Sequence, residues 1–205
     1  MAVDLHSLEL KLVRKADGIE LDLLPLQGLW TTEQYLGLTD QTNQLIEFTD
    51  GTIEVLLMPT RKHQGILALL YELFVAFIRP RGGKVLFAPL RVQIATHRYR
   101  EPDLVVLLDE HDPRNQEAFW LGADLVVEIV SPDNPERDTV EKRADYAMAA
   151  IAEYWIVNPL DETVTVLTLD GDHYAQHGLF ERGAVASSAL LDGFEIRVGA
   201  VFEVT

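Results

Sequence analysis

The run Leu125-Val126-Val127-Glu128-Ile129-Val130 sets one carboxylate among five large apolar residues, four of them β-branched. Those residue types favour a buried strand. Ionising a carboxylate in such a place is costly unless it is paired, hydrogen-bonded or bound to a cation. Side chains alternate along a strand, so Val126, Glu128 and Val130 share one face and Leu125, Val127 and Ile129 the other. A second acid, Asp103, heads the run "DLVVLL" directly after Pro102, whose fixed φ and missing N–H suit a strand start. If the strands beginning at 103 and 124 are neighbours, the two carboxylates converge. Hard divalent cations such as magnesium take a few carboxylate oxygens together with waters and substrate phosphate, which is the chemistry this pair offers. A structural ion pair for Glu128 and a turn role for Asp103 are the plainer alternatives.

The elements that must position these acids follow from the apolar pattern. Residues 8 to 23 alternate around Ala16-Asp17-Gly18, which predicts a hairpin whose turn needs a positive φ. A short helix is expected over 31 to 38 with Thr31 or Thr32 as its cap, then a second hairpin over 44 to 58 turning on Asp50-Gly51. From Thr60 to about Ile78, Ile66, Leu69, Leu70, Leu73, Phe74 and Phe77 recur at helical spacing until Pro80 and Gly82-Gly83 end the pattern, so this is the longest helix. Strands are expected at 84 to 88, 90 to 96, 103 to 108, 124 to 130 and 153 to 157, with a loop or short helix at 109 to 121 and a helix near 137 to 151. The tail from 162 reads as short strands and turns. Together these predict an α/β (α+β) fold with one mixed sheet and helices against it.

Composition narrows the function classes. With 205 residues, 48% hydrophobic and 24% charged, the chain suits a single domain over 1 to 205 with a hairpin extension over 1 to 30. It holds no apolar run of about 18 residues, and its first fifteen residues lack the charged and apolar regions of a signal peptide. No membrane association and a cytoplasmic location are the expectation. The absence of cysteine removes disulfides, thiolate zinc sites and cysteine nucleophiles. A net charge of −16 argues against a surface that is basic throughout, although a confined groove or metal site remains compatible with it. The basic clusters "RPRGGK" at 79 to 84 and "HRYR" at 97 to 100 read first as solvated turns. Ser131 has no histidine near it in sequence and no nucleophile elbow around it.

"EPD" at 101 to 103, "VVEIVSP" at 126 to 132, Asp138, Lys142, Tyr146 and "EYWIVNP" at 153 to 159 give the chain a specific resemblance. In order, spacing and residue type they resemble the restriction endonuclease domain family abundant in cyanobacteria, a branch of the PD-(D/E)XK nuclease superfamily. The resemblance spans about residues 30 to 195. It implies a restriction-endonuclease-like nuclease domain over 31 to 195, with extra N-terminal and C-terminal β-hairpins. It further implies a magnesium or manganese ion held by Asp103 and Glu128 with help from the Ile129 carbonyl, DNA as substrate and a homodimer. Glu47 and His63 match recurrent family positions and are possible helpers, as is Tyr146.

The superfamily's catalytic lysine usually stands two residues after the acid, and here that position is Val130. The matching candidate is Lys142, fourteen residues beyond Glu128 in the next helix. At about 100° per residue, Val140, Ala144, Ala147 and Ile151 form the apolar stripe and put Lys142 opposite, beside Asp138, Tyr146 and Ala149. By periodicity alone Lys142 is a solvated lysine paired with Asp138 at i, i+4. The expected function is a metal-dependent endonuclease with Asp103, Glu128 and Lys142 as its catalytic set. The alternatives are a catalytically silent nuclease-like module for partner binding or oligomerisation, and a metal-dependent hydrolase of another substrate.

Overall fold

Turn chemistry sets the first elements. In the computed structural model, which describes residues 11–13 and 16–204, β1 (Lys11–Val13) pairs antiparallel with β2 (Glu20–Asp22) across a turn in which Gly18 has φ +72°. The expected hairpin is present over its described part; residues 8 to 10, 14 and 15 lie outside the described residues, as does most of the fifteen-residue N-terminal stretch. Helix α1 (Thr32–Thr39) starts on Thr31, which accepts from the N–H of Gln34 while the Gln34 side chain accepts from the N–H of Thr31. β3 (Ile46–Thr49) and β4 (Thr52–Val55) turn on Asp50 and Gly51, both with positive φ. Helix α2 (Arg61–Ile78) is capped by Thr60.

Five further strands lead to the acid-bearing run: β5 (Lys84–Phe87), β6 (Val92–Ala95), β7 (Arg98–Arg100), β8 (Leu104–Leu107) and β9 (Leu125–Ile129). A π-helical turn over Arg137–Glu141 runs into α3 (Lys142–Met148), and then come β10 (Glu153–Asn158), β11 (Thr163–Asp170), β12 (His173–Phe180), β13 (Val185–Ser187), β14 (Glu195–Arg197) and α4 (Val198–Phe202). The main sheet has the order β12-β11-β10-β9-β8-β5, antiparallel except for the parallel pair β9 and β10. A parallel neighbour requires a crossover, and the segment carrying α3 supplies it. On one face Leu125, Val127 and Ile129 pack with Phe74 of α2 and with Phe194 and Val201. On the other, Val126 and Val130 pack with Trp120, Tyr146 and Tyr154.

Four expectations are corrected. Instead of one sheet, β4-β3-β7-β6 form a second, four-stranded sheet, and β1-β2 and β13-β14 pair separately. Pro89, which cannot donate to a ladder, stands between β5 and β6 where the chain leaves the main sheet. The "HRYR" cluster is no solvated turn: Tyr99 and Arg100 are buried in β7. Three residues alternating Arg-Tyr-Arg are too short for apolar periodicity to mark them as a strand. The tail is longer-stranded than expected, since β11 and β12 have eight residues each and extend the main sheet. Finally, Val140 is 61% exposed and Ala144 is exposed, while Asp138, Lys142 and Asp145 are buried with Tyr146. The π-helical turn, closed by the Lys142 N–H to the Arg137 carbonyl, winds one residue wider than an α turn and shifts the phase of the stripe.

Candidate active site

The two acids meet because of strand register. β8 runs antiparallel to β9 with Leu104 opposite Val127, so the next step along the ladder brings Asp103 beside Glu128. The Asp103 N–H points to Glu128 Oε2 at 3.5 Å, and Asp103 Oδ2 accepts from the Ile129 N–H at 2.7 Å. His63, in the first turn of α2, places Nε2 3.1 Å from Asp103 Oδ2. Burial acts to lower the His63 pKa, but the hydrogen bond and charge of Asp103 raise it overall.

The crossover then lays Lys142 on the Glu128 face. Its Nζ is 3.0 Å from Glu128 Oε1, 3.3 Å from Glu47 Oε1 and 3.3 Å from Asp138 Oδ1. At 3% exposure Lys142 is a buried cation, not the solvated lysine that helical periodicity predicts. Burial disfavours its charge, yet Glu128, Glu47, Asp138 and Asp103 hold its pKa well above the ordinary range. It therefore stays an ammonium at neutral pH. Tyr146, one helical turn beyond Lys142, donates its hydroxyl to Glu128 Oε1 at 2.5 Å. Burial, with Glu128 and Glu47 nearby, raises the phenol pKa, so Tyr146 remains a donor. Burial also pushes Glu128 up to about 8, with Lys142 opposing and the Asp103, Asp138 and Glu47 carboxylates adding to the rise.

A further network, whose pairings the sequence did not show, holds this cluster. Glu47 Oε2 accepts from Arg100 Nη1 at 2.9 Å, and Arg100 also donates to Asp145 on α3 through Nε at 3.0 Å and through Nη2. Arg98 joins Asp145 at 2.9 Å to Asp50 at 2.6 Å. These arginines tie the four-stranded sheet to the helix that carries Lys142. Despite burial, Lys142 and Arg100 keep the Glu47 pKa low. Arg137 reaches Glu54 at 2.6 Å, directly across the β3–β4 ladder from Glu47, where two like charges would otherwise repel. The available signal was the alternation of Arg98 and Arg100 around Tyr99, which puts both arginines on one face of a strand.

The acids open onto a cleft of about 40 Å³ lined by His63, Asp103, Glu128, Ile129, Asp138 and Lys142. That is room for an ion and about two waters. Among the described residues no three acidic or histidine side chains converge as a metal cluster by themselves. The donor set is instead two carboxylates and a carbonyl, all hard oxygens of the kind magnesium and manganese prefer. Asp103 Oδ1 has no hydrogen bond among the described residues, and Glu128 Oε2 has only the long contact at 3.5 Å. These unsatisfied hard oxygens fit a divalent cation.

A solved structure described as "a putative nuclease belonging to DUF820" from Anabaena variabilis ATCC 29413 matches this architecture with a TM-score of 0.66 and 20% identity, covering 82% of this chain and 96% of that one. The fold is restriction-endonuclease-like, with a mixed sheet flanked by helices. The chain belongs to the Uma2 family, described as "Putative restriction endonuclease", whose pattern matches residues 32–199. No curated protein matches the chain. Among the described residues no helix is long and apolar enough to cross a membrane.

Proposed function

We propose that this protein is a divalent-metal-dependent endonuclease that hydrolyses phosphodiester bonds in DNA. The observation that carries the reading is the Lys142 ammonium 3.0 Å from Glu128, itself beside Asp103, in a chain whose usual lysine position holds Val130. Val130 is buried in an apolar cluster, where an ammonium would have no partner. The lysine arrives from the helix instead.

Asp103, Glu128 and the Ile129 carbonyl would hold the ion. When bound, magnesium or manganese supplies a Lewis acid that polarises a phosphoryl oxygen and lowers the pKa of water. Lys142, locked in its charged form, orients the attacking water and offsets the negative charge that develops on the phosphoryl group. It is a donor and not the proton acceptor. Tyr146 fixes the Glu128 carboxylate, and Glu47 fixes Lys142. His63 pairs through Nε2 with Asp103 Oδ2 at 3.1 Å and would fix that carboxylate. In the reaction a water oxygen bonds to phosphorus, the bond from phosphorus to one sugar oxygen breaks, and that oxygen leaves with a proton.

The test is plasmid cleavage with added magnesium or manganese, comparing wild type with Glu128→Gln and Lys142→Met. Cutting by the wild type alone is expected. Equal cutting by all three would sink the assignment, and no cutting by any, with no manganese-dependent gain in melting temperature, would favour the silent module.

A further inference from the structure

The 40 Å³ cleft shares lining residues with a cavity on either side. Past His63, Ser131 and Asp133 it continues into a cavity of about 290 Å³. Past Asp103, Leu45 and Pro59 it opens into a larger one of about 410 Å³. The exposed side of α2, with Gln64, Ala68 and Tyr71, forms one wall of the larger cavity, and Phe87 and Pro89 form another. Tyr71 and Phe87 meet edge to face with ring centroids 4.9 Å apart. Phe87 ends the edge strand β5 and is 44% exposed, so part of its ring surface is open to the cavity. The Ala88 N–H donates to the Asp103 carbonyl at 3.3 Å, which holds the Phe87 end of the strand against the first residue of the site.

Among the described lining residues Asp103 is the one charged group. The two rings stand at 81° to each other, so a ligand can stack a flat, uncharged body on one of them while its charged portion stays with the carboxylates and their cation. A nucleobase attached to its phosphate meets both conditions. The Asn43 and Gln64 amides also line the cavity, and each can donate and accept on a base edge. Bases inside a duplex are paired and stacked, so only an unpaired or extruded base can enter. Single-strand binders gain from base stacking on aromatic rings in addition to phosphate contacts.

We propose that this cavity receives an unpaired nucleobase next to the scissile phosphate, which makes single-stranded or locally unpaired DNA the preferred substrate. The assignment rests on the nuclease reading above. Binding of a labelled single-stranded oligodeoxynucleotide and of the same sequence as a duplex is measured by fluorescence anisotropy at low salt. Cleavage of both with manganese is followed separately. Phe87→Ala removes the ring and Ala68→Trp fills the cavity; both positions are exposed, and unchanged thermal melts verify folding. The wild type should bind the single strand more tightly than the duplex, and each variant should weaken single-strand binding roughly 5- to 100-fold. Single-strand binding unchanged in both variants, or a duplex bound more tightly, would overturn the proposal even if the wild type cuts DNA. Binding lost in both variants by a protein that never cuts would keep the cavity assignment and overturn the nuclease reading.

Discussion

Lys142 lies within 3.0 to 3.3 Å of three carboxylates, and its role separates charge from stability. Removing one partner from a buried ion cluster costs about 3–5 kcal/mol, because the remaining charges lose their compensation. Lys142→Met should therefore lower the urea midpoint and also reduce cutting about 10²- to 10³-fold, the usual loss for one charge-stabilising donor. Manganese affinity should hold or rise, since the cluster becomes more negative; calorimetry showing lost binding would make Lys142 a support for the metal site. Arg100 is a positioning residue by the same logic. Its fork spans Glu47 and Asp145, a geometry lysine cannot reproduce. Arg100→Lys should lower kcat while leaving the manganese-induced gain in melting temperature intact.

At the scale of elements, the π-helical turn at 137–141 decides which side chains face the sheet. A straight α-helix would bury Val140, whereas here it is 61% exposed. Val140→Lys should change stability by no more than about 0.5 kcal/mol, as for other surface substitutions, and a large loss in denaturant titration would restore the straight-helix phase. The β3–β4 turn is the opposite case. Gly51 has φ +89°, and a Cβ there would lie 2.6 Å from the Gly28 carbonyl oxygen. Its own carbonyl accepts from the N–H groups of Gly28 and Trp30. Gly51→Ala should destabilise by more than 1 kcal/mol and lower the melting temperature by several degrees, with Glu47 displaced as β3 shifts.

For the whole molecule, the cation and the fold are linked by mass action. An ion that binds only the native state at about 100 times its Kd adds about 2.7 kcal/mol, or on the order of 5–10 °C for a chain of this length. Scanning fluorimetry should record this gain with millimolar manganese, and Asp103→Asn or Glu128→Gln should abolish it. The C-terminal segment contributes through another buried acid. Glu153 accepts from Trp155, from the Ser188 hydroxyl and from the N–H groups of Ala189 and Leu190, pinning that segment to the start of β10.

What the sequence alone determined was mostly local: the capped helices α1 and α2, the turns at Gly18 and Gly51, and the alternation that gives Glu128 a strand face. Each follows from residue type and spacing within a few positions. The convergence of Asp103 and Glu128 was legible as a condition on two strands being neighbours, and the ladder between β8 and β9 met it. The burial of Lys142 was not legible, because one wider turn shifts the phase that a 3.6-residue period assigns, exposing Val140 and Ala144 and burying Lys142 while Ala147 and Ile151 stay buried. Nor was Arg100, since a three-residue strand with two arginines carries almost no periodic signal, and its partners lie 45 and 53 residues away in the chain. Those pairings depend on how two sheets and a crossover helix pack together, and only the tertiary structure decides that.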